Sequence, residues 1–134
     1  MANERNDAQL SALKARVDAL YLEYVFPVLA TLRLGEKPET VTYETELFEA
    51  AKSAGIKLRR YIMPEDLSME DVTELIRGIN QDALLSAFLL LEPLPARLDA
   101  AAVKALIDPK KALAPAPIPE LLTRVVDAAQ RSAK

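Results

Sequence analysis

Val28-Leu29-Ala30-Thr31-Leu32-Arg33-Leu34 is followed by Gly35 and the turn residues Glu36-Lys37-Pro38. A short, mostly apolar run closed by such a turn predicts a buried strand. Upstream, Leu10, Leu13, Val17, Leu20 and Tyr24 recur at three- and four-residue spacing, which predicts an amphipathic helix ending before Pro27. Downstream, Thr40 can cap a second helix whose inner face is Leu47, Ala50, Ala51 and Ala54, with Gly55 as its C-terminal stop. Ile56 to Ile62 alternates as an edge strand would, with Lys57, Arg59 and Arg60 guarding that edge against aggregation. Ser68 and Asp71 form a weak capping box for a third helix that turns Val72, Leu75, Ile76 and Ile79 inward.

Leu84 to Leu91 is a continuous apolar run, read as a strand buried on both faces and ended by Pro93-Leu94-Pro95. Asp99 caps a short helix that ends at Asp108-Pro109. Residues 112–119 hold Pro115, Pro117 and Pro119 and form an extended connector, after which a terminal helix is expected over 120–132. Strand–helix alternation of this kind predicts an α/β fold: a three-layer α/β/α sandwich around a small, mainly parallel sheet. Ligands in such sheets sit beyond the C-terminal strand ends. Here those ends are Leu34-Gly35-Glu36, Tyr61-Ile62-Met63 and Leu91-Glu92-Pro93.

The chain has 134 residues, one domain by size and long enough to bury about two thirds of its unfolded surface. Seventeen basic and twenty acidic residues leave a net charge of −3, which carries no footprint for nucleic acid or an anionic membrane. With neither cysteine nor histidine, thiol and imidazole chemistry, disulfides and most zinc or iron sites are excluded. Ser68, Ser86 and Ser132 have no base to activate them. No run approaches the roughly 18 apolar residues of a membrane span, and the stretch from Met1 to Asp7 is polar, so a cytoplasmic location is expected.

Four motifs in order are specific: Gly35-Glu36-Lys37-Pro38-Glu39-Thr40 followed by Tyr43, Met63-Pro64-Glu65-Asp66-Leu67-Ser68-Met69-Glu70, Pro93-Leu94-Pro95, and Ile107-Asp108-Pro109-Lys110-Lys111. Together they resemble the catalytic, folate-binding domain of bifunctional methylenetetrahydrofolate dehydrogenase/cyclohydrolase, over Pro27 to Lys111. The last helix is similar to the family's C-terminal helix. The resemblance implies that the connector at 112–119 stands where the family inserts a nucleotide-binding domain. Gly35, Gly55 and Gly78 are too far apart to build a dinucleotide loop, so no cofactor is expected.

The resemblance also places family roles on this chain. Tyr43 takes the position of the tyrosine that stacks near the pterin. Leu47 stands where the family has its proton-transferring lysine, Leu91 where it has the glutamine that poises that lysine, and Ala114 where it has the pterin-binding aspartate. Leucine cannot transfer a proton. The expectation is therefore a catalytically inactive relative with no catalytic residue and no metal, acting as a binding or interaction module in one-carbon metabolism.

The expected cleft comprises Tyr43, Leu47, Leu91, Arg33 and Glu92. It would take a folate-like small molecule, and a homodimer or protein partner would cover surface that the family buries. Tyr43 either stacks on a planar ligand or packs on Leu47. Arg33 and Glu92 are either a ligand-binding pair or a mutual salt bridge. Glu44, Glu46 and Glu49 are expected to be a solvated helix face. The alternative reading is an enzyme or folate binder with a site rebuilt around Tyr43, Arg33 and Glu92.

Overall fold

The computed structural model describes residues 2–133; Met1, part of the polar stretch read above, lies outside them. The chain runs α1 (Ala2–Leu22), β1 (Val28–Leu34), α2 (Pro38–Ser53), β2 (Lys57–Met63), α3 (Met69–Gln81), β3 (Ala87–Leu90), α4 (Ala100–Ala105) and α5 (Ile118–Ser132). The three strands are parallel in the order β2-β1-β3. Val28 lies opposite Lys57 on one side of β1, and Leu29 opposite Ala87 on the other. β1 is buried along its whole length, as a central parallel strand covered by helices on both faces must be.

Side-chain alternation along β1 assigns the layers. Leu29 packs with Leu13, Val17 and Leu20 of α1, Leu47 and Ala51 of α2, and Leu122, Val125 and Val126 of α5. Ala30, Leu32 and Leu34 face the other way, onto Val72, Ile76 and Ile79 of α3 and onto Val103 after β3. The result is a three-layer α/β/α sandwich. Connections from β1 and β3 leave the sheet on opposite faces, which opens a crevice between their C-terminal ends.

Local chemistry explains the helix ends. Asp71 N donates to Ser68 Oγ at 3.1 Å to start α3, and one Asp99 carboxylate oxygen accepts from Ala101 N and Ala102 N to start α4. Gly55 ends α2 at φ 77, with Ile56 N donating to Ala51 O at 2.8 Å and Gly55 N to Lys52 O at 3.2 Å. That is the paired closure a left-handed glycine permits.

Several expectations are corrected. The apolar run from Leu84 yields a strand only from Ala87, because Asp82 turns the chain: Leu84 N donates to its carboxylate and Leu85 N to its carbonyl. Leu84 consequently points into solvent. α2 begins at Pro38 with Lys37 as cap residue, and Thr40 lies buried inside the helix. Tyr24 does not join the inner face of α1; it sits beyond the helix end at φ 61, exposed. Ile62 on β2 is exposed too, and Tyr61 and Met63 pack against the α3 layer in its place.

The terminal helix starts at Ile118, since prolines fit a first helical turn that needs no donor. The connector before it is not free. Phe88 N donates to Lys111 O at 2.7 Å and Leu113 N to Phe88 O at 3.0 Å, so Ala112 forms a one-residue parallel bridge along the outer edge of β3. Among the described residues no helix is long and apolar enough to cross a membrane.

Candidate functional site

The crevice between β1 and β3 holds a concavity of about 280 Å³. The first turns of α2 supply Glu39, Thr40 and Tyr43 to one wall. β3 and its exit supply Leu89, Leu90, Leu91 and Glu92, and the connector closes the third side with Pro115 and Ala116. The location follows from topology, because the two strand ends diverge only there. A cavity near the lower end of the small-ligand range accommodates one ring system and leaves a longer tail outside.

Tyr43 is half-buried, and that burial, reinforced by the Glu46 charge, holds its phenol above the usual 10.0. At neutral pH the hydroxyl is therefore a firm donor, and the ring offers a flat apolar face. Leu89 and Leu91 give the opposite wall an apolar floor. Glu92 reaches Lys104 Nζ at 2.8 Å, but both side chains are well exposed, so the pair is weak and leaves carboxylate lone pairs for another donor. Glu39 is exposed at the other rim. Among the described residues no lysine or arginine lines the concavity. The arrangement suits a planar ligand that brings N–H donors to two carboxylates.

Of the five residues expected at the cleft, the structure brings Tyr43, Leu91 and Glu92 together and leaves two elsewhere. Leu47 is fully buried in the α1/α2/α5 layer, beneath the cleft wall and not on it. Arg33 is buried as well, and its partner is not Glu92. Arg33 Nε donates to Glu44 Oε2 at 3.1 Å and its Nη1 to Gly35 O at 2.6 Å. Glu44 is accordingly a core residue and not part of a solvated acidic face. The signal was available: Thr40, Glu44, Leu47 and Ala51 recur at spacings of four, three and four, which is one helix face, and Arg33 shares a strand face with Leu29. Glu39, Thr40, Pro115 and Ala116 were not anticipated as lining residues. For the last two the cause is the bridge to Phe88, which is a long-range pairing.

The three glycines are spread over separate elements. Gly35 closes β1 at φ 94 against the Glu65 side chain, Gly55 ends α2, and Gly78 lies within α3, so no glycine-rich turn leads from a strand into a helix. Among the described residues no three potential metal ligands gather.

Comparison with known proteins agrees with this fold. The family model for the tetrahydrofolate dehydrogenase/cyclohydrolase catalytic domain matches residues 2–113. Bifunctional protein FolD 1 of Desulfitobacterium hafniense (strain Y51) is 32% identical over 99 residues, which are 74% of this chain and 35% of that protein. Bifunctional protein FolD of Prochlorococcus marinus (strain NATL1A) is 36% identical over 85 residues, 63% of this chain and 28% of the relative. The chain thus spans about a third of the length of the curated relatives it matches. Among solved structures, the bifunctional FolD enzyme of Campylobacter jejuni superposes with a TM-score of 0.79 at 23% identity, covering 81% of this chain and 39% of that one. The Trypanosoma brucei enzyme, solved with NADP and an inhibitor, gives 0.78 at 23% identity over 81% of this chain and 37% of its own.

Proposed function

This chain belongs to the tetrahydrofolate dehydrogenase/cyclohydrolase catalytic-domain family, and from that premise we propose that it binds a folate-class ligand without catalysing either reaction of its bifunctional relatives. The cleft at Tyr43, Leu91 and Glu92 is the binding site in this reading. One observation carries it: the concavity has a stacking ring, an apolar floor and two carboxylates, with no lysine or arginine in its lining and Lys104 held outside it by Glu92. A pterin-type ring presents a flat face and amino donors, which this lining satisfies. In this reading the three glycines build no dinucleotide loop for hydride transfer, and ring-opening hydrolysis lacks its base, because the resemblance places Leu47 where the family carries lysine. We read the protein as a binding module of one-carbon metabolism, acting through its ligand or through a protein that recognises the ligand-loaded cleft.

The test is a calorimetric titration with methenyltetrahydrofolate, alongside spectrophotometric assays of its hydrolysis and of nicotinamide-dependent oxidation of methylenetetrahydrofolate. Expected are saturable binding, a loss of at least about tenfold in affinity for Tyr43→Ala (roughly 1.4 kcal/mol of stacking), and no turnover above background. Binding that Tyr43→Ala leaves unchanged would move the site elsewhere. Turnover that Tyr43→Ala abolishes would establish the alternative, an enzyme with a rebuilt cleft.

A further inference from the structure

Among the described residues the buried polar side chains are Thr31 and Arg33 of β1 and Thr40 and Glu44 of α2. Arg33 and Glu44 satisfy one another. The two threonine hydroxyls are left over. Thr31 is 0% exposed, and its Oγ1 has no partner. Thr40 is 7% exposed and lines the concavity of about 280 Å³. Threonines inside the helices return their hydroxyls to the carbonyl four residues earlier: Thr45 to Val41 O at 2.9 Å, Thr73 to Met69 O and Thr123 to Pro119 O at 2.8 Å. Thr40 stands in the first turn of α2, where no helical carbonyl precedes it, and its hydroxyl makes no hydrogen bond among the described residues. A buried hydroxyl without a partner costs stability and is uncommon in a folded chain. This one borders a hollow. The backbone beside it is unsatisfied as well. The first helical bond of α2 runs from Val41 N to Lys37 O at 3.0 Å, Pro38 has no N–H, and Lys37 provides no side-chain cap. Glu39 N and Thr40 N therefore remain free donors among the described residues.

We propose that the Thr40 hydroxyl, with these two N–H groups, is the specificity-determining contact of the cleft and receives an uncharged carbonyl oxygen on the ligand's ring. The inference rests on the ligand reading above and adds to it the substitution pattern of the ring. The charge balance selects a neutral oxygen. The helix N-terminus favours an acceptor, but the Glu39 and Glu92 carboxylates line the same concavity and would repel an anion. The carboxylates accept hydrogen bonds, and the start of α2 donates them. A flat ring bearing both amino hydrogens and a lactam carbonyl answers the two halves of this lining. A ring with an amino group in place of the carbonyl would set hydrogens against the free Glu39 and Thr40 N–H groups. A site built to hydrogen-bond one group rejects the analogue lacking it, because the buried partners of that group stay unpaired.

Two probes that differ at one ring position decide it: folic acid, which carries the carbonyl, and its 4-amino-4-deoxy analogue, which carries an amino group there. Both are titrated calorimetrically into the full chain at mildly alkaline pH, so that neither ring is protonated. The wild type should prefer folic acid by at least about tenfold. Thr40→Ser keeps the hydroxyl and should keep the preference. So should Thr31→Val, which removes the other unpartnered hydroxyl from outside the lining. Thr40→Val should reduce the preference to less than about threefold. Its melting temperature without ligand should not fall, since it sheds a hydroxyl that had no partner, so weaker binding cannot be laid to misfolding. Equal affinity for the two compounds, or a preference for the amino one, would overturn the inference and leave the ligand reading standing. A preference that survives Thr40→Val, or one lost in Thr31→Val instead, would overturn it by moving the contact off Thr40. Binding of neither compound would overturn it too, and the ligand reading falls with it only if methenyltetrahydrofolate also fails to bind.

Discussion

Arg33 and Glu44 are both almost fully shielded from water, so each charge is tolerable only because the other neutralises it. Their attraction offsets the loss of hydration, and the Gly35 carbonyl takes one more guanidinium donor. Removing one partner strands a buried charge, whereas replacing both restores an apolar layer. Glu44→Met alone should therefore destabilise the fold by about 3–5 kcal/mol, and Arg33→Met with Glu44→Met together by much less, about 1 kcal/mol or below. Urea unfolding of the two single variants and the double variant measures the coupling. Additive losses would mean that the two side chains do not depend on each other. Thr31 occupies the same strand face, and its hydroxyl is buried without a partner among the described residues.

Among the elements, the turn from α2 into β2 shows how one residue type sets a boundary. Gly55 sits at φ 77, and a methyl group there would lie 3.3 Å from Val17 Cγ1. Gly55→Ala should cost about 1–2 kcal/mol, from left-handed strain together with crowding against α1. Gly78 is the internal control. It lies inside α3 with nothing within 4 Å of the corresponding methyl position, so Gly78→Ala should stabilise by about 0.5–1 kcal/mol through helix propensity. Thermal or urea melts of the two variants should shift in opposite directions. A shared direction would show that neither glycine is placed by backbone conformation. Asn80 performs a comparable task between elements: its amide donates to Leu106 O at 2.8 Å and accepts from Asp108 N at 2.9 Å, tying the end of α4 to α3.

For the molecule as a whole, the α1/α2/α5 layer joins the two ends of the chain beneath the cleft. Arg16 on α1 contacts Asp127 and Gln130 on α5 at 3.0 Å and 2.9 Å, over an apolar seam that also contains Leu47 and Leu91. Placing polar groups in that seam sets the stability of the whole fold against a polar pair of the kind the family resemblance implies at Leu47 and Leu91. Leu47→Lys with Leu91→Gln should destabilise by about 3–5 kcal/mol, since two leucines leave a packed layer and an ammonium enters it. That is a large share of the total for a domain this size. On the proposed reading, folate binding should not improve, because the resemblance places Ala114 where the family has its aspartate. Urea melts and a methenyltetrahydrofolate titration of the double variant check both halves. A variant as stable as wild type that binds folate more tightly would mean that the layer has room for the polar pair the resemblance implies.

The order of strands and helices, their parallel sense and the end of the sheet that opens a cleft were determined by the sequence, because each rests on short-range signals. Apolar periodicity, turn glycines and capping side chains act within a few residues. So do the Pro93-Leu94-Pro95 stop and the turn motifs that carry the family resemblance. What only the tertiary structure decided involves pairings across long separations. Arg33 turned to Glu44 and not to Glu92 because the alternation of β1 aims it at α2. Leu47 was drawn under the cleft wall by the packing of α1 and α5 on the same layer. Pro115 and Ala116 became cleft residues because Ala112 bridges to Phe88. Tyr24 and Leu84, apolar in every local pattern, reached the surface together once the sheet set their two turns side by side. Local free energies specify elements, but which face an element shows its neighbour is a property of packing, where every side chain competes for the same interior volume.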